Sequence, residues 1–92
     1  MNELEVCKRI AEIEGETIEH ITNDGVLFVS SDDFEPYNPL KDSALCFALM
    51  VKHKVELKYY IDGSIDAWIT FKNQETYSDA KEAICSEIIK AN

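Results

Sequence analysis

The spacing of apolar positions divides the 92 residues into seven elements. Leu4, Cys7 and Ala11, joined by Ile10 and Ile13, recur at helical spacing. Asn2 followed by Glu5 supplies a capping pair and Gly15 a stop, which predicts a first helix over about residues 3 to 14. ETIEHIT and VLFVS then follow, rich in β-branched residues and separated by Asn23-Asp24-Gly25, whose residues tolerate positive φ. They read as a first β-hairpin.

A proline-punctuated loop, Ser30 to Tyr37, leads to Asn38 as a cap, Pro39 at a first helical position and a second helix from Leu40 to about His53. Ala44 to Val51 is an unbroken apolar run, so this helix is expected to be covered on every side, as the central helix of the fold. VELKYYI alternates, with Val55, Leu57, Tyr59 and Ile61 on one face and Glu56, Lys58 and Tyr60 on the other. Asp62-Gly63 turns the chain, and SIDAWITF sets Ile65, Ala67, Ile69 and Phe71 against Asp66, Trp68 and Thr70. Thr76 or Ser78 caps a last helix from about 78 to 90 with a stripe of Ala80, Ala83 or Ile84, and Ile88. The order α-β-β-α-β-β-α predicts an α+β fold, an αβα sandwich in which two hairpins make one antiparallel sheet, in a single domain over 1–92.

Charge changes this picture from a plain small fold to one with a bias. Eighteen Asp and Glu face nine Lys and Arg, a formal net charge of -9. Binding to free nucleic acid needs a basic footprint, so it is not expected. The acidity serves solubility, attraction to a basic protein surface, or mimicry of a nucleic-acid backbone. Cys7, Cys46 and Cys85 form no CxxC or Cys/His pair and lie among apolar neighbours, which predicts buried thiols in a reducing compartment. The charged start MNELEVCKRIAE lacks an apolar leader core, and no run approaches the ~20 residues of a membrane span, so a cytoplasmic protein is expected.

Candidate chemistry is sparse. Asp32, Asp33, Glu35 and Asp42 lack the spacing of a calcium loop and read as a solvated loop and helix start. His20 and His53 have no nucleophile arrangement beside them and read as surface or strand-end residues. The three glycines are turns or helix stops, so no phosphate loop is present. No catalytic residues, metal or cofactor are expected. The aromatic residues are more informative: Tyr37 lies in the acidic loop, and alternation places Tyr60 and Trp68 on the hairpin face shared by Lys58 and Asp66, either as interface anchors or as core.

The N-terminal LEVCKRIAEIEG helix, the YNPLKDSALCFALMVKHKVEL segment after an acidic loop, the aromatic second hairpin and the closing DAKEAICSEIIKA helix together resemble the NinX-like, or ABA-sandwich, family of small bacteriophage proteins. The family usually places a Trp near the start of the central helix, where this chain has Phe47, its own Trp being Trp68. The resemblance implies a phage or prophage origin and an αβα sandwich, and it implies no activity. The expectation is a non-catalytic accessory protein that binds a basic host or phage protein, as an inhibitor of a nucleic-acid-binding or defence complex. Its contact residues would be Glu3, Glu5, Glu12, Glu14, Glu16 and Glu19, with Asp32, Asp33, Glu35, Tyr37, Tyr60 and Trp68. It would act as a monomer or homodimer. The alternative is a small-molecule or nucleotide-derivative binder with a pocket between the second hairpin and the second helix.

Overall fold

The computed structural model describes residues 1–30, 35–69 and 75–92. The fold is α+β, in the order α1 (Glu3–Ile13), β1 (Ile18–Ile21), β2 (Leu27–Val29), α2 (Ser43–His53), β3 (Glu56–Tyr59), β4 (Ile65–Trp68), β5 (Glu75–Tyr77) and α3 (Ala80–Ala91). Helix α1 starts where expected, with the Glu5 amide donating to Asn2 Oδ1 at 2.8 Å. It stops at Gly15, whose φ of 72° lies in the left-handed region that favours glycine.

Two parts of the expected sheet architecture are corrected. The hairpins form two sheets instead of one: β1 pairs antiparallel with β2, and a separate sheet has the order β3-β4-β5. The reason is that each sheet has its own helical support, β2 packing against α1, and β4 and β5 against α3. Strand β5 is an addition, because Glu75-Thr76-Tyr77 is too short and too polar to show an alternation. The expected positions Thr70 and Phe71, like Asp32 and Asp33, lie outside the described residues.

The caps of the later helices also move. Asn38 closes a separate turn, its Oδ1 accepting from the Leu40 amide at 3.0 Å, and α2 begins three residues on with Asp42 as its cap. Asp79, not Thr76 or Ser78, caps α3 by accepting from the Glu82 amide at 2.9 Å. Both corrections have one physical cause: Asp, Asn, Ser and Thr are near-equivalent caps, so a sequence offering several leaves the choice to packing.

Helix α3 is the central helix, touching α1, α2 and β4. Ala83, Ile84, Cys85 and Ile88 of α3 join Cys7, Ile10, Leu27, Val29, Cys46 and Leu49 in the core. Helix α2 lies at the margin instead. Only Cys46 and Leu49 of α2 are buried, while Phe47 is 62% and Val51 58% exposed. The rule that an apolar helix must be covered on every side fails here, because only one of its sides meets α3. No described helix is long and apolar enough to cross a membrane.

Candidate functional site

The net charge is concentrated in one part of the chain. The first 35 positions hold ten acidic and two basic residues, and the remaining 57 hold eight acidic and seven basic ones. Helix α1 and the first hairpin carry seven of these ten acidic residues and pack together through β2. Glu5, Glu12, Glu19, Asp24 and Glu35 are exposed there. The excess negative charge thus lies in the N-terminal part of the chain, and Lys41 and Lys52 from later in the chain pair with its Glu3 and Glu14.

Of the twelve expected contact residues, Asp32 and Asp33 lie outside the described residues, and the structure places the other ten in different settings. Glu5, Glu19 and Glu35 are open to solvent. Others are engaged: Glu3 sits 3.5 Å from Lys41 Nζ, and Glu12 lies 3.5 Å from Arg9. Glu14 has a side chain only 10% exposed and accepts from Lys52 at 2.8 Å, with His53 Nε2 at 2.7 Å. Glu16 is half-buried. Tyr37 belongs to the core, where burial and the neighbouring charges of Glu14 and Glu16 push its phenol far above its ordinary value. It anchors the loop against β2, its amide donating to the Leu27 carbonyl at 2.8 Å.

Tyr60 and Trp68 do share a sheet face with Lys58 and Asp66, as alternation requires of the register Glu56↔Trp68 and Lys58↔Asp66. The face is not simply polar. Asp66 is 7% exposed, and its carboxylate accepts from the Tyr60 hydroxyl at 2.7 Å and the Thr76 hydroxyl at 2.6 Å. The bond to Asp66 raises the Tyr60 phenol above its ordinary value and fixes the ring, over which Lys58 Nζ lies 5.2 Å from the centroid. Trp68 is half-buried.

Sequence reasoning missed a cleft of about 520 Å³ between the start of α1, Leu40 and α3. Val6, Leu40 and Ile89 give it an apolar lining, Glu3, Asp79 and Glu82 give it carboxylates and Lys90 an ammonium group, and Glu3 already lies beside Lys41. Nothing in the sequence places Asp79 and Glu82, about 80 positions along, beside Glu3.

The thiols are buried as expected. Burial pushes Cys7 up to about 11, and a hydrogen bond to Cys46, with burial, pushes Cys85 far up. His20 stacks on Phe28 with centroids 4.7 Å apart, at the surface. His53 is corrected from a free surface residue to a half-buried partner of Glu14. Among the described residues, no group of three or more His, Cys, Asp or Glu is placed to hold a metal ion. Comparison with protein-family models, curated proteins and solved structures gave no match. The resemblance to NinX-like proteins therefore rests on the quoted segments alone.

Proposed function

We propose that the chain is a non-catalytic binding protein whose acidic end docks on a basic surface of a host or phage protein and occludes a nucleic-acid-binding groove there. The observation that carries this reading is the charge segregation: seven acidic residues against two basic ones in residues 1–30, the segment that builds α1 and the first hairpin. A solubility role alone needs net charge but no particular distribution of it. A one-sided field instead raises the encounter rate with an oppositely charged groove.

The division of labour among the acidic residues supports the same reading. Glu5, Glu19 and Glu35 supply exposed charge for the encounter. Glu14 and Tyr37, expected as contact residues, hold the platform together instead. The resemblance to small phage proteins favours a bacterial nucleic-acid-binding or defence protein as the target. The test is capture from bacterial lysate by the immobilised chain at low and at high salt. A basic protein released as salt rises supports the reading, because exposed charges are screened within ~10 Å at 0.1 M. Captured proteins whose binding is indifferent to salt count against it.

A further inference from the structure

The acidic end leaves unexplained the opposite feature of the fold, an apolar groove open to solvent. It runs between α2 and β3 over a floor of α3, encloses about 450 Å³, and is lined by Cys46, Phe47, Met50, Leu57, Tyr59 and Ile84. Phe47 and Tyr59 are 62% and 65% exposed, Val51 extends the same stripe one turn along α2, and Ile61 beyond β3 is fully exposed. Large apolar side chains gathered in this way mark an interaction surface.

Beside the groove the second sheet has an open edge. Strand β3 pairs only with β4 among the described residues. The Tyr60 amide donates to the Ser64 carbonyl at 3.0 Å. Bonded residues alternate along an antiparallel ladder, so Glu56 and Lys58 point their backbone groups at β4, and Leu57 and Tyr59 turn theirs outward. That edge is a template for a further strand.

We propose that β3 pairs antiparallel with β3 of a second copy of this chain about a twofold axis at Leu57, forming a continuous six-stranded sheet with the α2 stripes of both copies packed over the junction. Charge selects this occupant and this register. With Leu57 opposite Leu57 of the second copy, Glu56 falls opposite Lys58 and Lys58 opposite Glu56, and Val55 meets Tyr59. Both charged pairs are attractive, which a single strand achieves only through an axis at its middle residue. An axis at Tyr59 would set Glu56 against Asp62, like against like. The central pair exchanges two backbone bonds. The Val55 amide is already used, donating to the Met50 carbonyl at 3.0 Å, so its carbonyl alone accepts from Tyr59 of the other copy.

The test is sedimentation equilibrium of the full chain up to about 200 μM, a range that detects dimers of micromolar dissociation constant. Single reversals, Glu56→Lys and Lys58→Glu, each oppose like charges at both symmetric pairs and are expected to weaken the dimer by at least about tenfold. The double variant Glu56→Lys/Lys58→Glu restores both attractions and is expected to return within about threefold of the original. Since Glu56 and Lys58 are exposed, the fold is retained, which thermal melting checks. A chain that stays monomeric throughout this range overturns the proposal and gives the groove to a small molecule or another protein. A dimer indifferent to both single reversals overturns the register and the edge pairing with it.

Discussion

Glu14 Oε2 lies 2.7 Å from His53 Nε2, joining the residue after α1 to the last residue of α2 across 39 positions of sequence. Lys52 reaches Oε1 of the same carboxylate at 2.8 Å. Lys52 stands at the end of α2 that carries partial negative charge, so its ammonium group faces that terminus and the carboxylate together. Burial by itself would raise the Glu14 carboxyl, but the hydrogen bonds and charges of Lys52 and His53 outweigh it and hold the group below its ordinary 4.5.

Glu14→Gln is therefore expected to lower stability by about 1 to 2 kcal/mol at neutral pH, the scale of a hydrogen bond to a charged group. The folded carboxyl titrates below the unfolded one. Its contribution is thus complete above about 4.5 and is lost as pH falls through the lower folded value. Denaturant melts of both proteins across that window should converge at the acid end, and an equal gap at every pH would contradict the account.

Cys46 is 2% exposed and packs in the core that α2 and α3 share, so Cys46→Ser is expected to cost about 1 to 3 kcal/mol by burying a hydroxyl among apolar groups. Native thiol labelling by a bulky reagent should be slow for all three cysteines. Fast labelling of the folded protein would contradict their burial.

Asp66→Ala is expected to destabilise by about 1 to 2 kcal/mol, because it removes a buried carboxylate that accepts from Tyr60 and Thr76, whose exposed hydroxyls then turn to water. Tyr60→Phe and Thr76→Val each delete one bond and should cost less than the Asp66 change. A double-mutant cycle between Tyr60 and Asp66 should give non-additive losses, and additivity would show that the bond carries no energy.

Much of the fold was legible because its signals are local. Leu4, Cys7 and Ala11 repeat at helical spacing, Asn2 caps, Gly15 stops, and Asp62-Gly63 turns a hairpin whose flanks alternate. What was not legible depends on contacts far apart in sequence. Alternation placed Asp66 with Lys58 and Tyr60 correctly, but its burial needs Thr76 from β5, a strand without a pattern. The apolar run of α2 predicted burial on all sides, and its position beside α3 leaves Phe47 and Val51 outside. The acidic residues could be counted, yet only the fold separates Glu14, held by Lys52 and His53, from Glu5 and Glu19, which face water. Tyr37 shows the same limit, since an aromatic residue in an acidic loop reads as an anchor for a partner and here anchors the loop itself.

The central claim, that the exposed carboxylates of the N-terminal end make the contact, is tested most directly by capturing proteins from bacterial lysate in parallel with the original chain and with Glu5→Lys/Glu19→Lys/Glu35→Lys. Surface changes of this kind usually alter stability by under about 0.5 kcal/mol each, so both baits should melt within a few degrees of one another. The account predicts that a basic nucleic-acid-binding protein is held by the original chain, is displaced by added duplex DNA, and associates at least about tenfold more slowly with the triple variant at low salt. Equal capture and equal association rates for the two baits would contradict it.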